Sequence, residues 1–211
     1  IRPRGKQRDP KPYDNYFAEI DTEEKAYWLG FLLADGSVRH GVLTLELAEY
    51  DRRHVEKLRE TLGIESEIRD LGYHKSCRLF VSSWGIVNDL AKQGCVYRKS
   101  YGHTHPEIRE DLLRHMYRGC VDGDGSLFRK GTGTWAFTLT GHGPFVFRFQ
   151  DWLIAQLGLS KTKPSRTGVA YTVRYSGNIQ VPAIANLLYS SATVYLDRKY
   201  HAAVEAMQAT T

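Results

Sequence analysis

Cysteine is scarce in this 211-residue chain. Cys77, Cys95 and Cys120 are an odd number with no CxxC pair, which argues against a disulfide framework and a cysteine-rich zinc site and leaves three reduced thiols. Long apolar runs are absent too, none approaching the roughly 18 residues that a membrane span needs. The opening IRPRGKQRDPKP has no apolar stretch of the kind that directs secretion. The expectation is a soluble, intracellular protein of the cytoplasm, nucleoid or an organelle, with no membrane partner. An acidic excess is missing as well, since 29 Lys and Arg face 24 Asp and Glu for a net charge of +5. What is present is ordinary globular material: with 42% hydrophobic and 25% charged residues, disorder as the main state is excluded. A chain of this length buries a core as one large domain or two small ones without a metal or cross-link to hold it.

The positive charge is unevenly placed. Within the first 12 residues Arg2, Arg4, Lys6, Arg8 and Lys11 face Asp9 alone, so this stretch carries most of the net charge. A basic arm of this kind, assigned to residues 1–20, cannot pack a core and is expected to be mobile until it meets a polyanion. A merely solubilising tail would have the same composition.

Beyond the arm the chain repeats itself. EKAYWLGFLLADGSV (24–38) and RHMYRGCVDGDGSLF (114–128) share an apolar helical stretch, a Gly, then Asp-Gly-Ser and an apolar residue. Each is followed by an alternating segment, VLTLELA (42–48) and WAFTLT (135–140), and then by a helical run closed with Gly, 52–63 and 145–158. CRLFVSS (77–83) matches AYTVRYS (170–176), short helices follow near 85–93 and 181–189, and VYRKS (96–100) matches VYLDRKY (194–200). Five matches in one order predict a pseudo-twofold duplication of an αββαββα unit, an α+β architecture with repeats over 21–103 and 104–211. Asp21 with Glu24, and Thr104 with Glu107, predict capping boxes at the two helix starts. Asp35-Gly36 and Asp124-Gly125 predict helix ends with Gly in the left-handed conformation.

A carboxylate at a helix C-terminus faces the negative end of the helix dipole, typically at a cost of about 0.3–1 kcal/mol. One Asp-Gly end is an ordinary turn, but two at equivalent places point to chemistry if the helices pack side by side. Gly30 and Gly119, five residues before each Asp, and Ala34 and Gly123, immediately before, supply the small residues that such packing needs. Asp35 and Asp124 would then converge, and two converging carboxylates repel unless a divalent cation lies between them. Oxygen ligands with open positions suit Mg²⁺, or Mn²⁺ in its place, and a metal so held supports phosphodiester cleavage. Asp122, on the opposite side of the helix from Asp124, reads as helix-end capping rather than a third ligand. Cys120 reads as a packing residue.

WLGFLLADG (28–36) and YRGCVDGDG (117–125) resemble the paired signatures of the LAGLIDADG homing endonucleases, with the repeat spanning about residues 21 to 209. The resemblance implies a single-chain, monomeric endonuclease whose two antiparallel sheets form a saddle on double-stranded DNA. It also implies Mg²⁺-dependent double-strand cleavage of a long asymmetric site across the minor groove, leaving short 3′ overhangs, with Ca²⁺ supporting binding alone. By the same resemblance Asp35 and Asp124 bind metal, while Lys99, Lys199 and Glu49 border the catalytic waters. Each Lys serves equally well as a phosphate contact or a solvated cation. The region equivalent to Glu49 in the second repeat, Thr140-Gly141-His142, aligns ambiguously, and the sixth signature residue is Leu33 in one copy and Asp122 in the other.

Alternation in the strands turns Leu43, Leu45 and Leu47 one way and Thr44, Glu46 and Ala48 the other. By the same rule Arg78, Phe80 and Ser82 face outward, as do Thr138, Thr140, Thr172, Arg174 and Ser176, a mixture of donors and acceptors that suits base-edge reading. Arg39, Arg129, Lys130 and the arm are candidate phosphate contacts. The leading reading is a homing endonuclease. A non-cleaving DNA-binding regulator or an RNA splicing maturase on the same fold is the alternative, and both Asp residues being present favours cleavage. Splicing as an intein finds no N-terminal nucleophile and no C-terminal His-Asn.

Overall fold

The computed structural model describes residues 11–72, 74–95 and 105–209. Its centre follows from one stretch of sequence: in helix α1 (Glu23–Ala34) every residue from Ala26 to Leu33 is buried. A helix apolar all round belongs inside a core. Its partner is α4 (Glu110–Asp124), buried without a break from Met116 to Asp122, and the two pack against each other along their length.

Each central helix opens a unit of the same order. The first continues as β1 (Gly36–Arg39), β2 (Val42–Ala48), α2 (Arg52–Thr61), β3 (Arg69–Leu71), β4 (Ser76–Ser82) and α3 (Trp84–Lys92). The second continues as β5 (Gly125–Arg129), β6 (Trp135–His142), α5 (Gly143–Leu157), β7 (Ser165–Thr167), β8 (Ala170–Ser176), α6 (Gln180–Tyr189) and α7 (Asp197–Gln208). The antiparallel sheets have matching strand orders, β1-β2-β4-β3 and β5-β6-β8-β7. Helices α2 and α3 pack on the first sheet and α5 and α6 on the second, so one face of each is buried. The alternation predicted for β2 holds at every position, with Leu43, Leu45 and Leu47 buried between half-buried neighbours. Among the described residues no helix is long and apolar enough to cross a membrane.

Four local expectations change. The cap of α1 is Thr22, whose hydroxyl accepts the Lys25 N–H at 3.3 Å, while Asp21 forms an ion pair with Lys25 at 2.8 Å. Helix α4 starts at Glu110, not near Thr104, which lies outside the described residues. His105 Nε2 instead contacts the Tyr117 hydroxyl at 2.8 Å, and the following proline disfavours helix at His105. Gly36 and Gly125 open strands rather than adopting a left-handed turn, Gly125 having φ −94°. Glycine is required there by space, since a Cβ would lie 2.7 Å from the Leu32 carbonyl oxygen at Gly36 and 2.6 Å from that of Val121 at Gly125. Finally, residues 11–20, assigned to the arm, pack on the first unit. Phe17 is wholly buried, the Ser83 hydroxyl donates to Asp14, and Lys11 Nζ donates to the Ser82 carbonyl at 3.0 Å.

Candidate functional site

The two central helices touch backbone to backbone. A Cβ built on Gly30 would lie 1.9 Å from the Met116 carbonyl oxygen, and one on Gly119 2.1 Å from that of Tyr27. Toward the C-terminal ends a Cβ on Gly123 would meet the Ala34 Cβ at 2.3 Å. Any larger side chain at these positions would part the helices. The same Gly123 position lies 3.2 Å from Asp35 Oδ2, so the Asp35 carboxylate leans across the seam onto the last turn of α4. Asp35 caps α1 and Asp124 ends α4, which places both where the helix dipoles are negative.

Lys199, at the start of α7, offsets that negative potential. Its ammonium is buried and donates to the carbonyls of Val121 and Asp122 at 2.7 and 2.6 Å, of Gly123 at 3.2 Å and of Gly125 at 2.7 Å. Those of Asp122 and Gly123 are orphan acceptors of the helix end, that of Val121 also accepts the Gly125 N–H, and that of Gly125 belongs to β5. Burial pushes the ammonium down to about pKa 8, and the charges of Asp122, Asp35 and Asp124 oppose that fall. One cation therefore feels both seam carboxylates. Lys99 lies outside the described residues.

No family model and no curated protein matches the sequence. Solved structures do match. The LAGLIDADG homing endonuclease I-GzeII, in complex with its DNA target, superposes with a TM-score of 0.63 at 11% identity, over 87% of this chain and 88% of that one. Meganuclease I-SmaMI bound to uncleavable DNA gives 0.62 at 14% identity over 86% and 88%, and I-LtrWI bound to target DNA gives 0.59 at 13% over 89% and 91%. The chain has the LAGLIDADG homing endonuclease fold.

Within this fold the strand registers settle the alignment left open by the sequence. Gly36 pairs with Leu45 and Gly125 with Leu139, so Glu46 is equivalent to Thr140, Ala48 to His142 and Glu49 to Gly143. Glu49 has no carboxylate counterpart in the second unit. It follows the end of β2, with its side chain 3.4 Å from Arg52 Nη1. Asp124 borders a small cavity walled by Thr140 and Gly141 of β6.

Asp122 is not a helix-end cap. It is buried, accepting the Tyr27 and Tyr189 hydroxyls at 2.7 and 2.6 Å and the Leu196 N–H at 2.7 Å, and burial raises its pKa against those hydrogen bonds. The Tyr27 hydroxyl also meets His54 Nε2 at 2.9 Å. Because Tyr27 gives its proton to Asp122, Nε2 carries the hydrogen of a neutral imidazole. Burial pushes His54 down to about pKa 3. Sequence reasoning also missed Arg118, wholly buried with Nη2 on Glu23 at 2.7 Å and Nε and Nη1 on the Val194 and Leu188 carbonyls. An arginine inside an otherwise apolar helical stretch was the available signal.

The outward sets lie on one face of each sheet. In the first, Glu46 accepts from Ser76 and Arg78, which together hold its carboxyl below the usual range. Arg78 and Arg69 flank the Phe80 ring, their guanidinium carbons 5.6 and 5.2 Å from its centroid. Thr44 pairs across from Phe80, and Arg39 and Ser82 are exposed at the sheet's end. In the second, Arg174 donates to Ser165 and pairs across from Thr138. Lys130 donates to Ser176 at 2.9 Å, and Arg129 to the Gly133 carbonyl at 3.1 Å. Thr172 departs from expectation. It is buried, its hydroxyl 2.9 Å from that of Thr140 and its other side covered by β7.

Proposed function

We propose that the protein is a monomeric, sequence-specific DNA endonuclease that hydrolyses both strands of a long asymmetric duplex site in the presence of Mg²⁺. What supports this reading is the Asp35 carboxylate lying 3.2 Å from the Cβ position of Gly123, the neighbour of Asp124, at the end of a glycine seam whose last turn also holds the buried Lys199 ammonium. The donor set fits the cation. Among the described residues no group of three or more His, Cys, Asp or Glu could hold a metal, so the protein offers two carboxylates and leaves the other positions to water and phosphate. Mg²⁺ prefers that arrangement, whereas a zinc site would need more protein ligands. Bound there, the cation would neutralise charge on the scissile phosphate and lower the pKa of an attacking water.

The chain's own contributions are positional. Lys199 donates to carbonyls in the last turn of α4, so a cation offsets the negative helix end beside Asp124. Gly30, Gly119 and Gly123 set the spacing of the two Asp residues. The outward residues supply donors and acceptors to base edges, and their difference between sheets predicts unlike half-sites. DNA-bound structures of the proteins that share the fold support the duplex as substrate.

Selection of cleaved sites from a randomised duplex library in Mg²⁺ tests the proposal. The expected product is one long, non-palindromic site cut on both strands by a monomer. Tight binding without cutting would replace this reading with a DNA-binding regulator, and preference for structured RNA would replace it with a maturase.

A further inference from the structure

Four consecutive residues at the start of α7 each reach a different place. The Leu196 N–H donates to Asp122 of α4 at 2.7 Å. Asp197 accepts Lys57 of α2 at 2.6 Å, and the same ammonium reaches the Tyr195 carbonyl at 3.2 Å. Arg198 Nε meets both oxygens of Asp51 at 3.1 and 3.0 Å, with its guanidinium over the Tyr50 ring. Lys199 binds the carbonyls that end α4. Two of these residues grip the first unit and two grip the central helix of the second.

The places gripped matter. Asp51 closes the short turn Glu49–Asp51 at the end of β2, and β2 is hydrogen-bonded to β1, which begins at the residue after Asp35. A path of backbone and paired strands therefore runs from Asp51 to Asp35. On the other side Lys199 holds the turn of α4 that carries Asp124. The two carboxylates are thus connected twice, once by the glycine seam and once through the first turn of α7. Arg198 is the accessible member of that second connection, with its side chain 49% exposed against 9% for Asp51.

We propose that Arg198 is a positioning residue: through Asp51 it holds the Asp35-bearing unit in register with the Asp124-bearing helix, so that the second strand is cut before the DNA is released. This rests on the endonuclease reading, and it predicts a specific defect. Loosening the pair should leave the first cut nearly intact and delay the second, because misplacement on the order of 1 Å at one reacting centre can cost about 100-fold in rate.

The test uses the full chain on a supercoiled plasmid carrying the selected site. Time courses in Mg²⁺ separate nicking from linearisation, beside DNA affinity in Ca²⁺ and a thermal melt. Arg198→Gln should slow linearisation relative to nicking by about tenfold and accumulate nicked circles with affinity unchanged. Asp51→Asn should do the same, the double variant should be no worse than either, and Arg198→Lys, which keeps the cation, should recover most of the loss. An unchanged ratio of the two steps in both single variants would overturn the proposal. So would multiplied effects in the double variant, or single variants that simply unfold, which would make the pair a stability contact. If the parent protein cuts no DNA, the endonuclease reading falls first. The brace then falls with it, whereas a cutting parent with an unchanged ratio of the two steps in the variants rejects the brace alone.

Discussion

Replacing Gly30 with alanine should separate the two central helices. The new methyl carbon would stand 1.9 Å from the Met116 carbonyl oxygen and 2.8 Å from the carbonyl carbon, where ordinary contact begins at 3.4 Å. Local parting of about 1.5 Å is needed, and the obstacle is backbone, with no side chain to swing aside. Overpacking of a closed core typically costs about 1–3 kcal/mol, and a site faced by backbone belongs at the upper end. Removing a helix-interior glycine returns about 1 kcal/mol of propensity. The net loss is then about 2 kcal/mol, or a fall in Tm of about 4–8 °C for a protein of this size. Gly119→Ala, whose Cβ would lie 2.1 Å from the Tyr27 carbonyl, should behave alike, and cleavage should fall with it as Asp35 and Asp124 move apart. Gly131→Ala is the control, since nothing lies within 4 Å of its Cβ position. Thermal melts and cleavage time courses read both effects. Seam variants that melt at or above the parent temperature and cut normally would refute close backbone packing as the basis of the site.

Asp35→Asn and Asp124→Asn each delete one anionic ligand at nearly constant shape, so cleavage in Mg²⁺ should drop by about 10²–10³ or more. Duplex affinity in Ca²⁺ should persist or rise, and near-parental cutting by either variant would remove it from the proposed centre. Deleting residues 1–10, with Arg2, Arg4, Lys6 and Arg8 but not the packed Lys11, should weaken binding to all duplexes alike and flatten its salt dependence, because fewer phosphates are neutralised. Unchanged affinity at low salt would reduce the arm to a tail. His54, held neutral with its pKa lowered from 6.5 to about 3, should make the fold acid-sensitive. Between those values the unfolded chain binds a proton that the folded one does not, so stability falls as pH falls. His54→Gln should flatten the Tm profile by about one proton across that window, and an unaltered slope would show that His54 is charged in the fold.

Much of the architecture was legible in local sequence. The apolar run of α1, the period-two alternation of β2, β4, β6 and β8, and the paired Gly and Asp positions all record burial, and burial imposes a repeating pattern on neighbouring residues. The duplication was visible because two copies of one core need the same pattern in the same order. Strands β1, β3, β5 and β7 run only three to five residues, too short for alternation to mark them individually, and their existence depends on longer strands offering free edges. The start of α4 was misplaced because His105 is held by Tyr117, a tertiary contact that outweighs a capping motif. Asp122 was assigned a role by its side of the helix and Lys199 by motif, but what each binds was beyond reach. The groups that satisfy Asp122 lie 95, 67 and 74 residues away, and the carbonyls on Lys199 lie 74 to 78 residues away. A buried charge is satisfied by whatever the fold brings to it, and that choice is made in three dimensions. The sequence by itself determined that two acidic helix ends would exist and that their helices could touch. Only the tertiary structure decided which ammonium would sit beneath them and that the first turn of α7 would hold both units.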